Sequence, residues 1–186
     1  MDSLTLCKSD EGKQWWLQEE KMEYFILRQD QSITNPIIPM KTDLDDDFVC
    51  SSVFGEVIEK ENALYLDYLE KPRRIVSEQL KKLLVKYEDN LAFTAIVFTD
   101  VMKGTQRIYW LLDIVKKHCI SHETTYYPDG RIKELVINPK KVELDCIFQV
   151  DSKRESFTIV NLDVAESLLR RPFLGIQLQR VKLERR

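Results

Sequence analysis

The sequence predicts an α+β fold: a mainly antiparallel sheet with a few helices packed on one face and two similar β-helix-β elements. Three observations carry the prediction. Residues 132–181 read as strand, turn, strand, turn, strand, capped helix and closing strand. The strand-helix-strand part of that run has an echo beginning near Ile75. Between the apolar runs, turn residues stand where turns need them, as in Tyr127-Pro128-Asp129-Gly130.

Taken in order, residues 1–21 form a peripheral N-terminal segment, and Met22-Glu-Tyr-Phe-Ile-Leu-Arg28 reads as the first strand of a single domain over 22–183. That domain could divide into two lobes meeting near residues 71–75. The prolines of Asn35-Pro36-Ile-Ile-Pro39 each remove a backbone donor, so this stretch is a loop. Val53 to Leu69 suggests strands, and Lys71-Pro72 breaks the chain. After an extended Ile75-Val76, Ser77 is an N-cap, and Leu80, Leu83, Leu84 and Tyr87 fall on one helical face. Leu91–Val101 and Ile108–Val115 are apolar strands. Residues 131–137, 144–150 and 156–160 then complete a meander with Ile108–Val115. Asp163, with Glu166 three places on, reads as a capping box for the second helix. Gly175 turns the chain into a last strand over 176–183, whose apolar alternation slips by one residue after Gln179; a bulge near Arg180 would supply the slip.

Composition narrows the function classes. The chain has 186 residues, 44% hydrophobic, enough to bury a substantial core. No apolar run reaches the roughly 20 residues of a membrane span, and the first residues lack a signal-peptide pattern, so the cytoplasm is the expected compartment. Cys7, Cys50, Cys119 and Cys146 lie far apart without a Cys-x-x-Cys pair, which favours buried free thiols over zinc or redox chemistry. The net charge is −3 but unevenly placed: residues 1–70 hold sixteen Asp/Glu against six Lys/Arg, a balance of −10, and the remainder carries +7. Such polarity can steer a charged partner, or can reflect two surfaces of one domain that neutralise each other.

The chemistry-bearing patterns are few. The five glycines are too dispersed for a phosphate cradle, and no Gly-x-Ser-x-Gly or His-Glu-x-x-His pattern occurs. His118 and His122 are four residues apart, so on a helix both could face one zinc with Cys119 or Glu123. The segment follows a strand and precedes a loop-like stretch, which favours solvated histidines, and no metal or cofactor is expected. The scattered basic pairs lack a nucleic-acid motif, and the pI is about 5.6. Asp43, Asp45, Asp46 and Asp47 place four carboxylates in five positions without EF-hand spacing. Repulsion keeps such a loop solvated, yet it could meet a basic partner.

Several segments together resemble a family of bacterial immunity proteins, the eleventh in the usual numbering of polymorphic-toxin immunity families. They are Tyr24-Phe-Ile-Leu, Tyr109-Trp-Leu-Leu-Asp-Ile-Val, Pro128-Asp-Gly-Arg-Ile-Lys-Glu-Leu-Val, Asp145-Cys-Ile-Phe-Gln-Val, Phe157-Thr-Ile-Val and Ala165-Glu-Ser-Leu-Leu with Leu174-Gly-Ile-Gln-Leu. The resemblance covers about residues 22–183. It implies a cytoplasmic, non-enzymatic antidote that binds and neutralises a cognate protein toxin by direct contact, with no nucleic-acid or membrane partner; oligomeric state is left open. No catalytic residues transfer. The expected toxin contacts are Asp43, Asp45, Asp46 and Asp47, chosen because a toxin acting on nucleic acid or nucleotides presents a cationic cleft. The alternatives are an enzyme or metal-binding domain using His118, His122 and Glu123, and a structural adaptor with an exposed apolar patch.

Overall fold

The computed structural model describes residues 22–38, 41–42, 52–57, 64–142 and 145–184. In chain order its elements are β1 (Tyr24–Gln29), β2 (Lys41–Thr42), β3 (Ser52–Val57), β4 (Tyr68–Leu69), β5 (Ile75–Ser77), α1 (Glu78–Leu84), β6 (Ala92–Asp100) and β7 (Thr105–Asp113). They continue with β8 (Thr125–Tyr126), β9 (Ile132–Glu134), β10 (Val136–Ile137), β11 (Ile147–Asp151), β12 (Ser156–Asn161), α2 (Leu162–Leu169), β13 (Ile176–Arg180) and β14 (Lys182–Leu183). The class is α+β, with antiparallel and mixed sheets and two α-helices among the described residues.

β1, the first described strand, pairs with strands from the last third of the described residues. Its side chains alternate between two cores, Tyr24 and Ile26 on one face and Phe25 and Leu27 on the other, so the strand has to be covered on both faces. It lies inside a four-stranded sheet of order β11-β12-β1-β13, antiparallel to both neighbours. A meander through residues 108–115, 131–137, 144–150 and 156–160 is therefore not what forms. β7 belongs to the other large sheet, and the β11-β12 hairpin pairs with the distant β1. The stretch 131–137 also splits. Lys133 and Glu134 are exposed in a ribbon with β8, whereas Leu135, Val136 and Ile137 are consecutively buried and β10 pairs in parallel with β14.

The second large sheet has the order β2-β3-β6-β7-β5-β4 and is mixed, because β3 runs parallel to β6. Both helices connect parallel strands that are separated by one antiparallel strand. β5 and β6 each pair antiparallel with β7, and β12 and β13 each pair antiparallel with β1. The segments β5-α1-β6 and β12-α2-β13 thus share a local topology.

Ser77 caps α1 as its position predicts: its Oγ accepts a hydrogen bond from the Leu80 amide at 3.2 Å, and Leu80, Leu83 and Leu84 are buried. For α2 the cap is Asn161, whose side-chain oxygen accepts from the Val164 amide at 3.0 Å, and not Asp163. β12 runs directly into the helix at Asn161, so Asp163 falls in the first turn, where its charge suits the helix dipole. The two helices bury their apolar faces in one cluster with Leu27, Val76, Leu112, Ile147 and Val160, between the two sheets. Tyr87 and Ser167 add a hydroxyl–hydroxyl bond close by. A second cluster, including Phe148, Ile159 and Val181, covers the far face of the four-stranded sheet. A third, including Ile96, Phe98 and Tyr109, covers the far face of the mixed sheet.

Gly175 has φ +84°, and a Cβ there would stand 2.9 Å from the Leu66 side chain, so both backbone and packing require glycine. Its carbonyl accepts from the Asp30 amide at 3.0 Å. The slip in the last strand is achieved by a change of partner and not by a bulge within a continuous strand. β13 ends at Arg180, Val181 turns into the core, and β14 joins β10. Cys119 is a buried free thiol, whereas Cys146 is disulfide-bonded, which corrects the expectation of free thiols at that position. Among the described residues no helix is long and apolar enough to cross a membrane.

Candidate functional site

The predicted contact residues Asp43, Asp45, Asp46 and Asp47 lie outside the described residues. The histidine segment is described, and it does not assemble. Lys116 makes an isolated bridge to Gln149 and Ile120 one to Ile137, so the chain from 116 to 120 runs extended against the core, without the helix that would align His118 with His122. His118 is exposed, and Cys119 is buried. His122 projects into solvent with Nδ1 2.9 Å from Glu184 Oε1. Burial pushes the Cys119 thiol up to about 11, which keeps it protonated and poorly nucleophilic. Among the described residues no three His, Cys, Asp or Glu side chains are placed to hold a metal ion.

A shallow polar cavity of about 380 Å³, widely open to solvent, lies instead where the two large sheets meet. Arg74, Lys116, Gln149, Asp151, Ser152 and Ser156 line it, with Arg154 and Glu155 at the hairpin turn. Its floor follows from strand register. Gln149 pairs with Thr158 and Asp151 with Ser156, so these four polar side chains share one face, while Phe148, Val150, Phe157 and Ile159 fill the core on the other. The period-two spacing of Gln149 with Asp151 and of Ser156 with Thr158 is readable in the sequence. Nothing local in it indicates that Arg74, 84 residues before Thr158, reaches them.

Arg74 stands just before β5 and spans the junction. Its Nε donates to Thr158 Oγ1 at 2.7 Å, Nη1 to Gln149 Oε1 at 3.0 Å and Nη2 to Ser156 Oγ at 2.5 Å. Ser156 Oγ in turn donates to Asp151 Oδ1, and Gln149 Nε2 donates to the same oxygen at 2.6 Å. Lys116 Nζ lies 3.0 Å from Asp151 Oδ2. Burial alone would raise the Asp151 carboxyl; the donors Ser156 and Gln149 and the Lys116 ammonium outweigh it and hold the group below its ordinary value. Thr158 also meets the Tyr68 hydroxyl at 3.1 Å, and complete burial pushes that phenol up to about 12. The carboxylate, hydroxyls and amide are thus mutually bonded, an arrangement that joins two sheets and is poorly suited to acid–base catalysis.

A second surface stands out on the long β6-β7 hairpin. Lys81 of α1 covers the Trp110 and Phe93 rings, and past that point the face continues with the pair Val97 and Ile108. Ile108 is 59% exposed, and Val101 and Met102 at the tip are 69% and 84% exposed. The tip is held in shape by Asp100, itself 1% exposed, whose Oδ1 accepts from the Met102 amide at 2.9 Å and the Lys103 amide at 3.2 Å. An apolar strip on a fixed hairpin is a suitable binding surface because little freedom is lost on docking. Strand periodicity alone did not mark it, since whether Ile108 is covered depends on where α1 ends.

No known family model matches this chain, and no curated protein matches it.

Proposed function

We propose that this protein is a cytoplasmic immunity protein that binds a cognate bacterial toxin and neutralises it by direct contact, without turnover. The observation that carries the reading is the uncovered apolar strip of the β6-β7 hairpin, with Ile108, Val101 and Met102 presented on a braced tip. The sequence resemblance over residues 22–183 supports the same reading, as does the interlocked polar cavity, whose groups bond one another. The acidic run Asp43, Asp45, Asp46 and Asp47 supplies the charged part of the proposed contact, facing a cationic surface of the toxin. The helices packed in a shared core, with two split β-helix-β units, provide the rigid support such a contact needs.

Co-expression with the product of the adjacent open reading frame tests the proposal. Growth should be rescued by the intact chain and lost with Met102→Asp, whose exposed position leaves the fold unaffected. Loss of one anchor at an interface centre weakens binding by about tenfold or more. Separately, replacing the four aspartates by Asn should weaken binding and flatten its salt dependence. Absence of rescue by the intact chain would overturn the reading.

A further inference from the structure

The charges around the polar cavity do not balance, and their imbalance is specific. Three cations, Arg74, Lys116 and Arg154, face two carboxylates, Asp151 and Glu155. Both carboxylates are committed: Asp151 to Lys116, Gln149 and Ser156, and Glu155 Oε2 to the Ile132 amide at 2.7 Å. Among the described residues neither Arg74 nor Arg154 has an ion-pair partner. Arg74 is held by the neutral oxygens of Thr158, Gln149 and Ser156. A guanidinium has five N–H donors. The three bonds to neutral oxygens use three of them and lock the orientation of a part-buried charge that no carboxylate among the described residues pairs with.

We infer that this cavity is an oxyanion-binding site whose ligand is a phosphate group, either the free ion or a small phosphate monoester. A fixed, partly desolvated guanidinium matches the geometry of a phosphate edge and binds it without reorganising. Lys116 is paired with Asp151, whereas Arg154 adds a second unpaired positive charge at the rim, and two such cations favour a dianion over a single carboxylate. The volume, about 380 Å³, lies near the lower end of the roughly 300–1,000 Å³ typical of small-molecule sites, which accommodates a small ester as well as the ion. The inference is independent of toxin binding, because it concerns the free chain and residues outside the β6-β7 hairpin.

Calorimetric titration of the full chain at low ionic strength with inorganic phosphate, glycerol phosphate and acetate tests it. Phosphate should bind saturably at one site, and acetate at least about tenfold more weakly. Tighter binding of glycerol phosphate than of the free ion would assign the ester, and equal binding the ion. Arg154→Gln, at a side chain that makes no hydrogen bond among the described residues, should weaken phosphate binding about tenfold, the loss expected for one charge-assisted contact. Arg74→Gln should abolish binding, with circular dichroism confirming that the chain still folds. No saturable binding up to about 20 mM phosphate, well above the millimolar range of a weak specific site, would overturn the inference. So would equal affinity in Arg154→Gln, or equal affinity for acetate.

Discussion

Replacing Gly175 by Ala isolates the contact that joins the start of β13 to the segment before β4. Two costs add. The backbone sits at φ +84°, where a Cβ costs about 1–2 kcal/mol. The new methyl would also stand 2.9 Å from Leu66 Cβ and Cδ1 and 3.0 Å from Cδ2, and Leu66 is 1% exposed with nowhere to move. Overpacking of that kind costs about 1–3 kcal/mol, so the total is about 2–5 kcal/mol. Gly104 is the matched control: its φ is +62°, but nothing lies within 4 Å of an added Cβ, so Gly104→Ala carries only the backbone share. Thermal unfolding followed by tryptophan fluorescence reads both variants, with an expected fall in midpoint temperature of about 2–4 °C per kcal/mol for a chain of this size. In a Leu66→Ala background the excess cost of Gly175→Ala should fall, because the two Cδ contacts are gone while the contact to Cβ remains. Equal costs for the two glycine variants, or an unchanged cost in the Leu66→Ala background, would refute the packing described for this turn.

Three further predictions concern the junction between the sheets and the buried thiol. Tyr68→Phe removes a fully buried hydroxyl from Thr158, which keeps its bond from Arg74, so stability measured by denaturation should fall by only about 1 kcal/mol. Asp151 has a folded value below the ordinary 3.8, so its contribution is fully present above that value and is lost as pH falls through the lower folded one. The stability difference between the natural chain and Asp151→Asn should therefore be constant near neutrality and shrink toward zero as pH drops below about 4. Cys119, buried and raised to about 11, should resist a thiol reagent at pH 8 in the folded chain and react on unfolding, as read by peptide mapping.

Legibility followed the range of the forces involved. The Ser77 cap, the Leu80-Leu83-Leu84 face, the Tyr127–Gly130 turn and the Gly175 turn rest on neighbours within a few residues, and the structure has each of them. The insertion of β1 between β12 and β13 depends on a pairing across 131 or more residues, which alternation in β1 permits but does not specify. The same holds for the exchange of partners after Arg180, where the slip in alternation was visible and its cause was not. At the cavity, the polar face of the β11-β12 hairpin could be read from spacing. Arg74 could not, because an arginine after Lys71-Pro72 looks like any solvated basic residue until the second sheet arrives above it. The His118 and His122 spacing is informative only on a helix, and the extended backbone from 116 to 120 removes that premise.

The measurement that bears most directly on the proposed mode of action is a titration of purified toxin activity with this protein, paired with the intact mass of the toxin before and after neutralisation. Binding without turnover predicts a linear loss of activity that reaches completion at one equivalent, an unchanged toxin mass and recovery of active toxin once the complex is dissociated. Neutralisation by a small fraction of an equivalent, or a covalent change in toxin mass, would contradict it.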